Sequence, residues 1–252
     1  MPFTIGLQTV KHLKIEEILQ TTLDYDLNAF EIFFDGHLPR DLTERVKEML
    51  SKVQKTANIL LSIHAPLIST SKSYWFRTMH ECLLFAQRYG ASLFTIHPDP
   101  TSSQFLQKAK TLIELAQKEY KELTILIENT PSTPANMINE FFDQLHQFKN
   151  VGFTFDIGHA QLSPISSATR RKNAINYLEV LEVPILECHV HTNRGKKDEH
   201  LSIQNAAGVI SLKEVIRNLI DQKKFSGPFI FEYFRGNMEK DLQMMRNWLS
   251  FK

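Results

Sequence analysis

Cysteine is scarce in this chain of 252 residues: Cys82 and Cys188 are the only two, and they do not form a CxxC pair. A disulfide framework is therefore excluded, and a reduced, cytoplasmic protein is expected. Long apolar runs are also missing, since none approaches the roughly 18 residues that a membrane-spanning helix needs. The amino-terminal segment MPFTIGLQTV has no signal-peptide pattern, so we expect neither export nor a membrane partner.

An excess of one charge sign is missing as well. The chain has 29 Lys and Arg against 28 Asp and Glu, for a net charge of +1. This balance argues against a general electrostatic grip on nucleic acid, although a local basic patch remains compatible with it. Linkers, low-complexity segments and internal sequence repeats are absent, and 42% of the residues are hydrophobic. The sequence therefore predicts a single globular domain over residues 1–252.

What the chain does have is a regular alternation of two kinds of segment. Eight short apolar or β-branched runs cover residues 3–7, 29–34, 59–65, 92–98, 123–129, 151–158, 183–191 and 228–234. Stretches with helical period lie between them, such as 42–56 and 211–224, and another, 238–251, follows the last run. This arithmetic predicts an α/β protein with a closed (β/α)₈ TIM barrel. A doubly wound open sheet is the rival fold, but no GxGxxG follows the first run.

Histidine and carboxylate side chains occupy the ends of six consecutive predicted strands, where a barrel of this kind has its active site. No lysine occurs at those strand ends. Nine residues converge on the same rim: His64, His97, Glu128, Asp156, His159, His189, Asp198, His200 and Glu232. Taken singly, each has an ordinary structural explanation, as a hydrogen-bonded histidine or a paired acid.

Together these nine residues indicate a metal centre. Uncompensated carboxylates crowded in a barrel mouth repel one another strongly unless a cation lies among them. Imidazole and carboxylate together suit zinc, manganese or iron rather than calcium. The segment HVHTNRGKKDEH, residues 189–200, is then a ligand loop. Its ligand-type residues lie at the two ends, and its cations lie in the middle, where they face solvent or a substrate anion.

The motifs HAP, HP, IENT, FDIGHA, CHVH, DEH and FEY follow one another in this order. They resemble the xylose isomerase-like TIM barrel superfamily, which includes endonuclease IV (AP endonuclease family 2) and sugar isomerases and epimerases of the tagatose-epimerase type. The resemblance extends from about residue 3 to residue 234. It implies the barrel fold and a divalent metal as cofactor.

The resemblance also implies which residues bind metal. In the epimerase branch one divalent ion is held by four ligands, and the two glutamates among them also transfer protons. Here those four would be Glu128, Asp156, His189 and Glu232. In endonuclease IV three zinc ions are bound, and the additional ligands here would be His64 and His97 for one ion, and His159, Asp198 and His200 for another. We therefore expect one to three Zn²⁺ or Mn²⁺ ions per chain.

Four features around the ligands depart from the endonuclease IV pattern. The glutamate motif of that enzyme continues into a small, glycine-rich turn, where this chain reads IENTPSTP. The D-T-C-H motif of endonuclease IV reads DIGH here, and its H-L-N-D motif reads HVHT. An arginine that faces DNA phosphate is replaced by Glu199. A carboxylate at that place lowers the affinity for a phosphate backbone, so the metal ligands match one branch while the substrate surroundings do not.

The first functional hypothesis is an isomerase or epimerase acting on a sugar, a sugar phosphate or a related polyol. Glu128 and Glu232 would move the proton through a metal-stabilised enediolate, and His159 would hold a hydroxyl. Residues that could contact the substrate, the basic ones through a phosphate, are His191, Arg194, Lys196, Lys197 and Arg235. For the basic residues, a solvated loop surface is an equally good explanation.

Two alternatives remain. One is a zinc-dependent phosphodiesterase of the endonuclease IV kind, in which Glu128 bridges two metal ions. The other is a barrel that binds a metal or ligand without catalysis, which any measured turnover would set aside. Metal stoichiometry separates the first two, because one ion per chain favours the isomerase and three favour the phosphodiesterase. Glu31, inside the second apolar run, is interpreted either as an acid that supports the site or as half of a salt bridge.

Overall fold

Eight parallel strands close into a barrel in the computed structural model, which describes residues 3–9, 15–56, 58–164, 173–233 and 236–250. The strands are β1 (Ile5–Gln8), β2 (Ala29–Phe33), β3 (Leu60–His64), β4 (Leu93–Ile96), β5 (Thr124–Glu128), β6 (Val151–Asp156), β7 (Ile185–Val190) and β8 (Phe229–Phe231). Each strand pairs with the next in the sequence, and β1 pairs with β8 to close the ring. The predicted (β/α)₈ TIM barrel is confirmed.

Helices surround the barrel. Those in the described ranges are α1 (Ile15–Asp24), α2 (Glu44–Thr56), α3 (Trp75–Arg88), α4 (Phe105–Glu119), α5 (Ala135–Asp143), α6 (Ile157–Leu162), α7 (Asn173–Val180), α8 (Leu212–Asp221) and α9 (Met238–Leu249), with a short 3₁₀ helix at Pro39–Asp41. The apolar face of α8 follows the helical period, because Leu212, Val215, Ile216 and Leu219 are all buried. Helices of this pattern cover the outside of the barrel.

Strand β6 shows how the barrel separates its core from its site. Phe153 and Phe155 point outward, where their rings pack against those of Phe142 in α5 and Tyr177 in α7. The residues between and after them point inward, so Thr154 Oγ1 lies 3.0 Å from Thr95 Oγ1 across the interior. Because side chains alternate along a strand, an apolar outer face and a polar inner face occur in the same segment.

Two features of the predicted element pattern need correction. The strands are shorter than the apolar runs, since β8 has only the three residues Phe229–Phe231 where residues 228–234 were predicted. His97 and Glu232 consequently lie one residue beyond their strands rather than within them. In addition, α6 is an extra helix between β6 and β7. It forms because the Asp156 carboxylate caps it by accepting the backbone N–H of His159 at 2.6 Å.

None of the described helices combines the length and the apolar character that crossing a membrane requires.

Candidate metal centre

Four buried side chains, which we call the inner group, converge at the mouth of the barrel: Glu128, Asp156, His189 and Glu232. His189 Nδ1 lies 3.1 Å from Glu128 Oε1 and 3.0 Å from Glu232 Oε2. The same nitrogen lies 3.8 Å from Asp156 Oδ2. One ligand-type atom from each residue lies within 4.8 Å of the others. The structure thus brings together the four residues that the resemblance assigns to a shared metal site.

Glu128 also contacts a pair of histidines at the ends of β3 and β4. His64 Nε2 lies 2.7 Å and His97 Nε2 lies 2.8 Å from Glu128 Oε2. The other oxygen, Oε1, faces His189 of the inner group and His159 Nδ1, at 3.1 Å and 3.5 Å. The two oxygens of Glu128 therefore face two different sets of ligands, which is the arrangement that a carboxylate needs to bridge two cations.

A third cluster, the outer group, consists of His159, Asp198 and His200. His159 Nε2 lies 3.1 Å and His200 Nε2 lies 3.0 Å from the same oxygen of Asp198, Oδ2. His159 reaches this position because α6 begins directly after β6, and His200 does so with a left-handed backbone (φ 45°). All nine predicted ligands accordingly lie in one connected cluster.

Hydrogen bonds to the backbone orient three of these imidazoles. The Nδ1 atoms of His64, His159 and His200 lie 3.2, 2.8 and 3.0 Å from the carbonyl oxygens of Ala65, Asn129 and Glu232, respectively. An Nδ1–H donated to a carbonyl leaves the Nε2 lone pair free for a cation. In each of the three, Nε2 is the atom that faces the carboxylates.

The charges in the cluster shift one another's ionisation. Burial alone would raise the pKa of Glu128, but neighbouring imidazoles, chiefly His97 and His189, hold that pKa well below its usual range. Burial would lower the pKa of His159, yet carboxylates, of which Asp156 acts most strongly, raise it well above its usual value. Imidazolium and carboxylate thus balance each other here. A cation that binds must displace those protons, so its affinity should rise with pH.

Three comparisons with known proteins bear on this centre. The profile of the xylose isomerase-like TIM barrel family matches residues 19–249. An uncharacterised protein of Methanocaldococcus jannaschii is 32% identical over 225 residues, which are 80% of this chain and 73% of the relative.

The chain belongs to the xylose isomerase-like TIM barrel family.

Solved structures agree with this assignment at the level of the fold. A D-tagatose 3-epimerase-like protein superposes with a TM-score of 0.76 at 19% identity, covering 98% of this chain and 97% of its own. Endonuclease IV from Thermus thermophilus superposes with a TM-score of 0.70, also at 19% identity, covering 98% of this chain and 99% of its own. Members of this family are mostly enzymes.

The loop after β7 divides into two parts in this xylose isomerase-like barrel. Thr192 and Leu201 form an antiparallel bridge with backbone hydrogen bonds of 2.9 and 2.8 Å. The bridge closes the loop at its base, and Gly195 turns its far side with a φ of 74°. The exposed Lys196 and Lys197 follow this turn. The chain then returns to place Asp198 and His200 against the barrel mouth.

The lysines and arginines that were predicted to bind substrate have different surroundings. Arg194 is tied to Glu199, whose Oε2 accepts the Arg194 backbone N–H at 2.9 Å and whose Oε1 lies 3.7 Å from Arg194 Nη1. Lys196 and Lys197 instead line a cleft of about 850 Å³ that also includes Asp198 of the outer group. Arg235 lies outside the described residues, so its predicted role remains a prediction.

Two further acids lie beneath the inner group, and only one of them was considered from the sequence. Glu31 Oε1 lies 3.0 Å from His189 Nε2 and accepts a hydrogen bond of 2.7 Å from Gln8. Glu187, which the sequence interpretation missed, is fully buried, with Oε2 3.0 Å from Thr95 Oγ1. The alternation along β7 could have identified Glu187, because residues 187 and 189 share a strand face and His189 was expected to point into the barrel.

The return of the loop is anchored by Asp241 of α9. This buried carboxylate accepts hydrogen bonds of 3.0 and 3.1 Å from Ser202, 2.8 Å from Gln204 and 2.7 Å from Tyr233. Ser202 lies two residues after His200, so the network holds the segment that carries this outer-group ligand.

Replacing Asp241 with alanine is expected to lower the free energy of unfolding by about 2–4 kcal/mol, because the buried Ser202 and Tyr233 and the partly buried Gln204 lose their acceptor. Urea unfolding measures the change. The matched control is Asp221→Ala at the exposed end of α8, for which we expect a change within about 0.5 kcal/mol. Equal stability of the two variants would show that the network does not anchor the loop.

Proposed function

We propose that this chain is a divalent-metal-dependent isomerase or epimerase that acts on a sugar, a sugar phosphate or a related polyol. The observation that carries the proposal is the inner group. Its two glutamates, Glu128 and Glu232, each place an oxygen close to the same nitrogen of His189, at 3.1 and 3.0 Å. Two carboxylates beside one bound metal ion could remove a proton from the carbon next to a carbonyl and return one to carbon.

The inner group fits a divalent cation on the chemistry of its donors. Three carboxylates and one imidazole are buried together, and no lysine or arginine is buried among the residues that the structure describes. Glu232 Oε2 is buried, and it lies 3.0 Å from His189 Nδ1 in a pair without hydrogen-bond geometry. A cation held by Glu128, Asp156, His189 and Glu232 would offset the crowded negative charge. When bound, it would supply Lewis-acid stabilisation of the enediolate.

The side chains of this chain would carry the proton. One glutamate takes the proton from the carbon next to the carbonyl, and the electron pair of the broken C–H bond moves toward the carbonyl oxygen. In an epimerisation the other glutamate returns a proton to the opposite face of the same carbon, without a net change in redox state. In an isomerisation the proton returns to the neighbouring carbon, and the hydroxyl proton moves to the former carbonyl oxygen. Glu232 is the better candidate for the base, because Oε2 of Glu128 is already engaged by His64 and His97.

His159 would hold a substrate hydroxyl in this mechanism. Its Nδ1 lies 2.8 Å from the carbonyl oxygen of Asn129, so its orientation is set by the backbone. Its Nε2 lies 3.1 Å from Asp198 at the mouth of the barrel. The ring is therefore fixed on one side by the backbone, and on the other side a substrate hydroxyl would replace its contact with Asp198.

A second candidate function is a phosphodiesterase with several metal ions, and the two-sided contacts of Glu128 favour it. His64 and His97 on one oxygen and the inner group on the other would allow two cations to share this carboxylate. Paired metal ions suit the displacement of an oxygen at phosphorus. One observation argues against DNA as the substrate. Glu199 pairs with Arg194 and so lowers the positive charge of the rim, which weakens binding to a phosphate backbone.

Metal analysis and two activity assays decide between the candidates. The full chain is analysed for its metal content and then tested against a panel of aldoses, ketoses and their phosphates, and against duplex DNA with one abasic site. One ion per chain with sugar isomerisation supports the first function. Three ions with nicking of the DNA and tight binding at physiological salt would replace it with the second.

The cleft beside the outer group makes a prediction about phosphorylated substrates. A Lys196→Ala/Lys197→Ala variant should keep its metal, because both side chains lie at the exposed part of the loop. If the substrate carries a phosphate, the variant should lose about 1–3 kcal/mol of binding for each charge-assisted hydrogen bond removed. KM values for a sugar and its phosphate measure this.

Arg194→Ala serves as the matched control, because Glu199 lies 3.7 Å from Arg194 and offsets part of its charge. We expect a smaller change in KM for this variant, and a triple Arg194, Lys196 and Lys197→Ala variant should still retain its metal. Loss of metal in the triple variant would contradict the separation of the loop into a ligand part and an anion part.

A further inference from the structure

Two residues at which the motifs depart from endonuclease IV, Gly158 of DIGH and His191 of HVHT, contact each other. A Cβ on residue 158 would lie 1.9 Å from Cε1 and 2.4 Å from Nε2 of the His191 ring. Real Cβ atoms essentially never approach another heavy atom within 3.0 Å. The imidazole therefore occupies the space of the missing side chain, and any side chain at residue 158 would have to displace it.

Several contacts hold His191 in this place. Its Nε2 lies 3.0 and 3.1 Å from the two oxygens of Asp156. Its ring stacks on that of His200, with centroids 4.1 Å apart and an interplanar angle of 10°. Asn193 donates to the carbonyl oxygen of Gly158 at 2.9 Å and so ties the same two segments together. His191 is fully buried, so a direct contact with substrate is not its best assignment.

The stacking also argues against His191 as a metal ligand in this arrangement. One ligand-type atom of His191 lies within 4.8 Å of those of His159, Asp198 and His200. The lone pair of an imidazole nitrogen lies in the plane of its ring, however. Two nearly parallel rings such as His191 and His200 cannot both direct a lone pair at the same cation. His191 therefore acts through the residue to which it is hydrogen-bonded.

That residue is Asp156 of the inner group. Its Oδ1 accepts the backbone N–H of His159 at 2.6 Å, and its Oδ2 lies 3.8 Å from His189 Nδ1. A donor from His191 on the same carboxylate limits its rotation. Hydrogen bonds of this kind orient the carboxylates that bind metal ions and set the affinity of the site.

We propose that His191, seated against Gly158, is a positioning residue that holds Asp156 in the orientation in which the inner group binds a divalent cation. This inference rests on the metal site of the proposed function. It gives a single physical reason for two positions at which the motifs differ, because a side chain at residue 158 would displace the ring of His191.

A double-mutant cycle tests the inference with Mn²⁺ alone as the probe. Binding of Mn²⁺ to the full chain, stripped with chelator, is followed by electron paramagnetic resonance for wild type, Gly158→Ala, His191→Ala and the double variant. Glu232→Gln identifies which binding step belongs to the inner group. We expect each single variant to weaken that step by about 10- to 100-fold. The double variant should bind like His191→Ala, since both changes remove the same contact.

Unfolding in urea without Mn²⁺ separates positioning from packing. Gly158→Ala should destabilise the chain when His191 is present, because the new methyl group and the ring overlap. In the His191→Ala background the same methyl group has room. The double variant should therefore be no less stable than His191→Ala, while its Mn²⁺ affinity stays low. The control for loss of a histidine is His80→Ala. His80 lies on α3, with Nε2 3.1 Å from the Tyr120 hydroxyl, and its removal should leave the Mn²⁺ affinity of the inner-group step unchanged.

Wild-type affinity in His191→Ala, or in the double variant, would overturn the inference. So would a loss of stability in Gly158→Ala that leaves Mn²⁺ binding unchanged, because the contact would then be structural only. A wild-type chain that binds no Mn²⁺ and contains no metal as purified gives a different result. It would overturn the metal-dependent function, and this inference with it.

Discussion

Glutamine in place of Glu128 is expected to lower turnover by about 10²- to 10⁴-fold while the fold survives. An amide has nearly the same shape, so packing is preserved. It has only one acceptor oxygen, however, and therefore cannot face the pair His64 and His97 on one side and His189 on the other. It also cannot carry the proton. Steady-state kinetics and elemental analysis measure the two losses.

Glu232→Gln should behave in the same way, because the second glutamate is needed for the other half of the proton transfer. The matched control is Glu140→Gln, which changes an exposed carboxylate on α5 after the same strand β5 and should leave kcat and metal content unchanged. Turnover close to that of wild type in either Glu128→Gln or Glu232→Gln would contradict the assignment of these residues.

Removing the imidazole of His189 is expected to have the second large effect. His189 contacts inner-group carboxylates through Nδ1 and Glu31 through Nε2. In His189→Ala these buried carboxylates lose their shared partner, so metal content should fall and stability should decrease by about 3–5 kcal/mol in chelator. Elemental analysis and urea unfolding of the same preparation give both values.

Comparison with His200→Ala gives the number of filled sites. His189 belongs to the inner group, so its loss should lower metal content in every case. His200 belongs to the outer group, so His200→Ala should lower metal content only if that group is occupied. His146→Ala, an exposed position after α5, is the control for loss of a histidine. Full retention of metal in His189→Ala would rule out the inner group as the principal site.

The strand order and the identity of the rim residues followed from the sequence. Apolar runs and helical periods are local patterns, so eight alternating segments were enough to predict the barrel. Active sites of such barrels lie at the carboxyl ends of the strands. This rule predicted that residues as far apart in the sequence as His64 and Glu232 belong to one site. The ends of the elements were less accurate, as β8 shows, because an apolar run continues past the last ladder hydrogen bond.

The limits of sequence reasoning are clearest for residues whose role depends on a partner far along the chain. Glutamate is usually found at the surface, so Glu187 in the run PILECHVH does not stand out in the sequence. Closure of the barrel nevertheless places it in the interior beside Thr95. Arg194 was a candidate for binding an anion, but the hairpin-like loop returns Glu199 to it. The alternation along β7 could have shown that Glu187 points inward. No local pattern, however, predicts its contact with Thr95 or the contact between Arg194 and Glu199.

The sequence by itself thus determined the fold class, the closure of eight strands and the set of nine ligand-type residues, because hydrophobic period and strand-end chemistry can be read along the chain. Only the tertiary structure decided which nitrogen of each histidine faces a carboxylate and that Glu128 presents its oxygens to two sets of ligands. It alone showed that Gly158 makes room for His191. The physical reason is that these features are distances between side chains on different strands, and such distances exist only once the barrel has closed.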